Sequence, residues 1–280
     1  MALGARARGF LDLTRPVNAV AASALTAIGA FVAAGRVGAP TRVGAAVLAT
    51  LLAVAAGNAI NDYFDREVDA INNPERPIPR GAVSPRAALA FSAVLFLSAI
   101  GAALVLPPLA IAIAAVNLLA LVGYTEVFKG TPGAGNALVA YLGGSTFLFG
   151  GAAVGNARAA IVLFLLAALS TFAREVIKDV EDLTGDAAEG LVTLPVAVGE
   201  RRALWLGTAA LAVAVLASPV PYLRGTFGLP YLAVVVPADA VMAYAAAASF
   251  ADPARGQSLL KYGMFLAAAA FVAGRIAVVA

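Results

Sequence analysis

Long apolar stretches, separated by short polar connections, run along almost the whole chain. An apolar run of about 20 residues is enough to cross the hydrocarbon of a bilayer as a helix. Nine stretches meet this criterion, and the gaps between them are too short to hold a soluble domain: 17–35, 43–64, 86–105, 108–125, 135–153, 159–179, 203–219, 229–250 and 259–279. The pattern predicts an all-α polytopic membrane protein, a bundle of nine transmembrane helices in one domain that covers residues 1–280.

The composition supports this prediction and the basic residues orient it. The chain is 62% hydrophobic and only 12% charged, whereas a soluble domain carries about 25% charged residues. Most Lys and Arg lie in the N-terminal segment and in every second connection, and the other connections hold only Arg36, Arg42, Arg158 and Arg224. By the positive-inside rule, the N-terminus faces the cytoplasm and the C-terminus lies outside the cell membrane.

The chain contains no cysteine and no histidine. This excludes disulfides, thiolate metal sites, zinc triads and Ser-His-Asp catalysis. Any chemistry must therefore use carboxylates, amides, Lys, Arg, Tyr and bound hard ions. The net charge of +3 reflects the cytoplasmic bias and gives no indication of nucleic-acid binding. No obligate protein partner is expected.

Eleven of the 16 acidic residues fall in two windows, 62–75 and 175–189. The aspartates of both windows follow one spacing, D-x-x-D-x-x-x-D: Asp62, Asp65 and Asp69, then Asp179, Asp182 and Asp186. Positions i, i+3 and i+7 lie within about 60° on a helix, so each trio is expected to project from one face. Both trios lie at the cytoplasmic C-terminal end of a predicted span, where the helix dipole disfavours acids. Positive charge close to these carboxylates must therefore offset their negative charge.

Two facing trios of carboxylates favour a hard divalent cation, and Mg²⁺ typically combines one or two carboxylates with substrate phosphates. We therefore expect a Mg²⁺-diphosphate between the trios. Basic residues that could bind the phosphate oxygens lie close in the sequence: Arg76, Arg80, Lys129, Arg174 and Lys178.

Other interpretations of the acids were weighed. They could form a solvated rim at the span ends, although one spacing repeated twice beside basic residues argues against a rim. An ion-coupled transporter would place its acids near the bilayer midplane on broken helices. A cytidine-diphosphate-alcohol phosphotransferase would show a single motif that begins D-G, which this sequence lacks.

At these residues the chain resembles the UbiA family of intramembrane prenyltransferases. The first motif of that family, N-D-x-x-D-x-x-x-D, stands at 61–69, and the second, D-x-x-D-x-x-x-D, at 179–186. The similarity extends over nearly the whole chain. It includes the segment "RPVN", Arg15 to Asn18, at the start of the first span and the stretch from Tyr124 to Lys129 after the fourth span.

The resemblance implies a reaction and roles for individual residues. A prenyl diphosphate would lose its diphosphate to leave an allylic cation, and an acceptor would attack C1. The six aspartates, with Asn58 one turn before Asp62, would bind Mg²⁺ and the diphosphate. Tyr124 would orient the diphosphate or face the allylic cation.

Within the family, "NDYFDREVDAINNPERPIPRGAVSP" is similar to the archaeal branch that makes digeranylgeranylglyceryl phosphate for ether lipids. The resemblance then implies geranylgeranyl transfer to a lipid-like acceptor, geranylgeranylglyceryl phosphate, with Arg15 and Asn18 at its phosphate. An aromatic acceptor such as 4-hydroxybenzoate, a naphthoate or a tetrapyrrole is the alternative. The acid motif and its Pro/Gly loop occur once in each half, about 1–130 and 131–280, and Asp239 is an isolated acid inside a predicted span without an assigned role.

Overall fold

The computed structural model describes residues 3–35, 39–124, 128, 130–188 and 190–279. Within these ranges the chain is helical and contains no strand. Fourteen helices follow one another: α1 (Leu3–Thr14), α2 (Pro16–Ala34), α3 (Pro40–Phe64), α4 (Arg66–Asn72), α5 (Pro85–Ala103), α6 (Pro108–Gly123), α7 (Ala134–Ala153), α8 (Ala157–Glu181), α9 (Leu183–Ala188), α10 (Leu194–Val198), α11 (Glu200–Ala217), α12 (Val220–Leu223), α13 (Leu229–Ala248) and α14 (Pro253–Val279).

Nine of these helices lie where the apolar stretches predict spans, and seven are confirmed as long and apolar enough to cross a membrane. The seven are α2, α3, α5, α8, α11 with its continuation α12, α13 and α14. The remaining two differ for physical reasons. Helix α6 has only 16 residues. Helix α7 contains the segment "GGSTFLFGG", whose glycine, serine and threonine residues lower its mean hydropathy. That these two also cross the bilayer stays a prediction.

Helix α7 packs against α2 and α8, while α3 packs against α2 and α5, and α13 against α14. The crossing of α2 and α7 is close because each helix presents a glycine to the backbone of the other. Gly29 lies against the carbonyl of Phe147, and Gly150 lies against the carbonyl of Thr26. Small residues at such a crossing allow helices to pack in lipid, where the hydrophobic effect does not drive them together.

We predict that Gly150→Ala destabilises the protein by about 1–3 kcal/mol, because the new methyl group would overlap the Thr26 carbonyl and force α2 and α7 apart. The measurement is thermal unfolding in detergent. Gly101→Ala is the matched control, since a Cβ at Gly101 on α5 meets open space, and it should be neutral or slightly stabilising. Equal unfolding temperatures for the two variants would contradict the close crossing.

Helix α1 and the loop after α4 form a unit that covers the end of α3. Leu13, Ile78 and Val83 form an apolar cluster with α3 and α5 residues. Two polar contacts complete the attachment: Asn58 Nδ2 donates to the Thr14 carbonyl at 2.9 Å, and Arg80 Nη2 lies 2.5 Å from Asp12 Oδ2. This packing fixes the turn between α1 and α2 above the first acidic motif.

Both acidic motifs cross a junction between a long and a short helix, and the junction falls at the same aspartate in each. Helix α3 ends before Asp65 and α4 begins after it, and α8 ends before Asp182, where α9 follows. Asp65 has φ −80° and ψ 2°, and Asp182 has φ −86° and ψ 0°, values at the edge of the right-handed helical region. Backbone hydrogen bonds of the helical type nevertheless continue through both junctions, since the amides of Asp65, Asp69, Asp182 and Asp186 each donate to the carbonyl four residues earlier. The helical register is therefore kept across each trio, as the spacing predicts.

Candidate active site

The first aspartate of the first motif is buried and paired with arginine. Asp62, at the end of α3, has a side chain only 3% exposed, and its Oδ1 lies 2.5 Å from Arg15 Nη2 and 3.6 Å from Arg76 Nη1. Arg15 stands between α1 and α2 with a left-handed backbone, φ 44° and ψ 66°, a conformation that an L-residue adopts only when its surroundings impose it. The α1 packing therefore holds the Arg15 guanidinium against Asp62.

The third aspartate of the same motif shares Arg76 with the first. Asp69 Oδ2 lies 2.5 Å from Arg76 Nη1, and its Oδ1 accepts from Asn73 Nδ2 at 3.2 Å. One guanidinium thus bridges both ends of the motif across the α3–α4 junction. The predicted association of Arg76 with the first motif agrees with this geometry.

The second motif is organised in the same way, with its first aspartate held by a neighbouring helix. Asp179 Oδ2 accepts from Asn136 Nδ2 of α7 at 2.7 Å, and Asp182 Oδ2 lies 3.3 Å from Lys178 Nζ one turn earlier on α8. Sequence reasoning missed Asn136. It is a buried amide near the start of a predicted span, and isolated intramembrane polar residues are usually functional.

The remaining aspartates of both motifs face each other across one space, which we call the polar cavity. Its volume is about 460 Å³, and its lining comes from the two motif segments: Asp65, Val68, Asp69, Asn72, Asn73, Arg76, Glu181, Asp182, Gly185 and Asp186. Five carboxylates against one guanidinium leave four formal negative charges. Such an excess of charge calls for cations in the cavity.

The donor set of the polar cavity fits a hard divalent cation, because it offers carboxylate and amide oxygens without nitrogen or sulfur ligands. Among the described residues, no three acidic side chains converge on one point. Two of the motif carboxylates, Asp62 and Asp69, are instead paired with Arg15 and Arg76.

Two further spaces lie beside the polar cavity. The small cavity, of about 40 Å³, is lined by polar residues and Val139: Tyr124, Thr131, Gly135, Asn136, Glu175, Lys178, Asp179 and Thr193. The apolar chamber, of about 470 Å³, is enclosed by α2, α3, α7, α8, α11, α13 and α14. Its polar lining residues include Asn18, Arg174, Glu175 and Lys261.

One stripe of α8 orders the three spaces along the bundle. Ser170, Thr171 and Arg174 line the apolar chamber, Lys178 and Asp179 line the small cavity, and Asp182 reaches the polar cavity. Glu175 lines both the chamber and the small cavity. With a rise of about 1.5 Å per residue, Arg174 and Asp182 are separated by about 12 Å along the helix. A molecule with an anionic head and an apolar chain could extend along this stripe.

Asp239 lines the same chamber, on α13. Its Oδ2 accepts from Ser218 Oγ at 2.5 Å, and its Oδ1 is buried without a hydrogen-bond partner among the described residues. The acid therefore faces the bundle interior rather than lipid.

The other predicted site residues are distributed over these spaces. Tyr124, just after α6, lines the small cavity. Its phenol hydroxyl can donate a hydrogen bond to an anion in this cavity. Asn18 lines the apolar chamber. Lys129 lies outside the described residues.

Three predicted residues do not reach the predicted place. Arg80 pairs with Asp12 and does not line the polar cavity. Arg174 lines the apolar chamber, where it pairs with Glu175, instead of the space between the motifs. Asn58 uses its amide nitrogen to hold α1. For Arg80 and Asn58 the partner comes from α1, which is distant in sequence. For Arg174 the face of α8 on which it lies directs the side chain to the apolar chamber.

Comparison with known proteins agrees with this architecture. The UbiA prenyltransferase family matches residues 22–269. The chain is 63% identical over 276 residues to the digeranylgeranylglyceryl phosphate synthase of Natronomonas pharaonis. The matched region covers 98% of this chain and 99% of that protein.

Solved structures share the fold. The structure of a digeranylgeranylglyceryl phosphate synthase in membranes superposes with a TM-score of 0.85 at 34% identity, covering 97% of this chain and 99% of that one. A UbiA homologue from Archaeoglobus fulgidus, bound to DMAPP and Mg²⁺, superposes with a TM-score of 0.75 at 21% identity, covering 96% and 98%. The family match and the seven apolar helices indicate a multi-pass membrane protein. The chain therefore belongs to the UbiA prenyltransferase family.

Proposed function

We propose that the protein transfers a geranylgeranyl group from geranylgeranyl diphosphate to geranylgeranylglyceryl phosphate, with Mg²⁺ as the metal, to make digeranylgeranylglyceryl phosphate. The observation that carries this proposal is the placement of both acidic motifs around one polar cavity, connected along α8 to an apolar chamber. A diphosphate with a long apolar chain matches this sequence of environments.

The diphosphate would lie in the polar cavity and the small cavity. Arg76 and Lys178 line these two spaces, and both present charged donors suited to phosphate oxygens. Tyr124 adds a neutral donor beside Lys178. Bound divalent cations, held by Asp65, Asp69, Asp182 and Asp186, would neutralise negative charge on the departing diphosphate. The UbiA homologue from Archaeoglobus fulgidus with DMAPP and Mg²⁺ supports this choice of metal.

Asp62 and Asp179 would act from a second position behind these acids. Both are first in their motifs, and each is held from a neighbouring segment, Asp62 by Arg15 and Asp179 by Asn136. Such contacts fix the ends of α3 and α8 and so orient the carboxylates that follow. Arg80 would contribute by fixing the loop to α1, and Lys129 stays a predicted diphosphate contact.

The apolar chamber would take the prenyl chain of the donor. In the transfer, the bond between C1 and the diphosphate oxygen breaks with its electron pair, which leaves with the diphosphate. The free glycerol hydroxyl of the acceptor forms the new C1–O bond and passes its proton to the departed diphosphate or to an aspartate carboxylate of the site. The chamber walls, which include Leu25, Val54 and Leu142, exclude water that would otherwise capture the allylic cation.

The choice of acceptor rests on the relatives. The chain spans nearly all of the Natronomonas pharaonis digeranylgeranylglyceryl phosphate synthase at 63% identity. We further propose that α6 and α7 complete nine spans, that the protein is one domain of two related halves, and that the site faces the cytoplasm, as the distribution of basic residues indicates.

The test is a transfer assay in detergent micelles with Mg²⁺ and radiolabelled geranylgeranyl diphosphate. Geranylgeranylglyceryl phosphate and 4-hydroxybenzoate are offered separately. We expect label on the glycerol phosphate alone. Label on the aromatic acid alone would overturn the acceptor and move the enzyme to quinone biosynthesis, while absence of transfer to either, with folded protein, would overturn the proposed reaction.

A further inference from the structure

Two cations lie at the end of the apolar chamber nearest the acidic motifs, and neither belongs to the diphosphate site. Arg174 of α8 and Lys261 of α14 both line the chamber, but neither lines the polar cavity or the small cavity. Arg76 lines the polar cavity and Lys178 lines the small cavity. The chamber cations therefore call for a different anion.

The two cations are neighbours because of how α8 contacts α14. Arg174 Nη2 donates to Gln257 Oε1 at 3.2 Å, and Gln257 lies one turn before Lys261 on α14. Residues four apart share one helix face, with Cβ atoms about 5–6 Å apart. The Arg174 guanidinium therefore contacts the same face of α14 from which Lys261 projects into the chamber.

Both cations keep unused hydrogen-bond donors. Arg174 Nη1 pairs with Glu175 Oε1 at 2.7 Å, but its Nε is buried without a hydrogen-bond partner among the described residues. Lys261 makes no ion pair or hydrogen bond within the described part of the chain. The two carboxylates of the chamber are engaged elsewhere: Glu175 pairs with Arg174, and Asp239 on α13 accepts a hydrogen bond from Ser218.

Lys261 is an exposed residue that also lines the chamber. Lys261 follows the start of α14 at Pro253 by eight residues, a distance of about 12 Å along the helix. A charge at membrane depth usually faces the bundle interior and has a functional partner. The alternative is a side chain that extends to the membrane interface, where its partner is water.

We infer that Arg174 and Lys261 bind the phosphate monoester of the acceptor lipid, with Asn18 of α2 lining the same end of the chamber. This inference rests on the proposed function and deepens it, because it assigns the acceptor its own anion site. The site lies about 12 Å along α8 from Asp182. The acceptor phosphate at Arg174 therefore leaves the neighbouring glycerol hydroxyl near Glu175, between the chamber and the diphosphate.

The geometry also explains how two anionic substrates can bind together. The diphosphate uses the acidic motifs and the basic residues beside them, while the monoester uses cations on α8 and α14. Separate sites avoid competition of the two anions for one set of donors. They also give the enzyme a means of discriminating against acceptors that lack a phosphate, since such acceptors would not make the charge-assisted contacts to Arg174 and Lys261.

The experiment compares Lys261→Met with wild type on two acceptors, geranylgeranylglyceryl phosphate and geranylgeranylglycerol without the phosphate. We expect the KM for the phosphate-bearing acceptor to rise about tenfold or more, because a charge-assisted contact is lost. The KM for geranylgeranyl diphosphate should change less than about twofold. With the phosphate-free acceptor, variant and wild type should be equal, and Lys261→Arg should restore the phosphate-dependent affinity.

Arg255→Met is the matched control. Arg255 is exposed near the start of the same helix, contacts Tyr244 Oη at 3.2 Å, and does not line the chamber. Its loss removes the same charge from α14 and should leave both acceptor KM values unchanged. Equal losses of Lys261→Met on both acceptors, or a rise in the donor KM, would overturn the acceptor site, as would an unchanged KM for both.

A binding measurement separates this inference from the proposed reaction. The probe is geranylgeranylglyceryl phosphate with its free hydroxyl methylated, which cannot react, and the readout is the shift in unfolding temperature in detergent without donor. We expect a shift for wild type and Arg255→Met and a much smaller one for Lys261→Met. A charge-dependent shift together with no transfer in the radiolabel assay would overturn the reaction but keep the site. Normal transfer together with equal shifts in unfolding temperature for wild type and Lys261→Met would overturn the acceptor site but keep the reaction.

Discussion

Asp182→Asn is expected to reduce prenyl transfer by at least about 10²-fold while the helical bundle stays folded. The substitution keeps the shape of the side chain and removes one of the carboxylates in the polar cavity, so that stabilisation of the departing diphosphate is lost. The Asp182 side chain is 49% exposed and forms an ion pair with Lys178, so little packing is lost. Asp65→Asn, from the facing motif, should behave in the same way.

Glu67→Gln is the matched control for this experiment. Glu67 lies in the first motif segment, but its side chain is 84% exposed, and it does not line the polar cavity. It should transfer at the wild-type rate. The second readout is the rise in unfolding temperature on adding Mg²⁺ with a non-reactive diphosphate, which should shrink for Asp182→Asn and persist for Glu67→Gln. Wild-type turnover of both aspartate variants would remove the metal site from the mechanism.

Ala267→Phe is expected to lower kcat/KM for geranylgeranyl diphosphate by about 10²-fold, with a much smaller effect on the five-carbon donor dimethylallyl diphosphate. Ala267 lines the apolar chamber from α14, between Lys261 and Phe271. A phenyl ring there would fill the space that a long prenyl chain needs, and overfilling a packed interior costs about 1–3 kcal/mol. The short donor ends before this point.

The control for Ala267→Phe lies two residues along the same helix. Ala269 is exposed and does not line the chamber, so Ala269→Phe should add its ring on the outer face of the bundle and change neither donor. The measurement is the ratio of kcat/KM values for the two donors in each variant. If Ala267→Phe reduced both donors to the same degree, the chain would lie elsewhere and the chamber would need another occupant.

The sequence by itself determined the helical membrane architecture and the residues that carry charge into it. Apolar runs of spanning length can satisfy their backbone hydrogen bonds in lipid only as helices or closed barrels, so the helix positions followed from the pattern. The repeated aspartate spacing at 62–69 and 179–186 needed no structure to stand out, because acids are costly at these positions. The polar cavity joins the two motifs as the spacing predicts.

Local spacing failed where the direction of a side chain depends on elements far away in the chain. Asp62 and Asp179 share the motifs with the cavity acids, yet Arg15 from the α1–α2 turn and Asn136 from α7 hold them. No helical periodicity contains those contacts.

Only the tertiary structure shows which basic residue lines which cavity. Arg80 and Arg174 both lie near acidic motifs in sequence, but α1 draws Arg80 to Asp12, and the face of α8 turns Arg174 to the apolar chamber. Lys261 lies 79 positions after Asp182, and the packing of α14 against α8 brings it to the same chamber as Arg174. Composition and spacing determine what chemistry the chain can perform. Packing between distant helices determines where each charged group performs it.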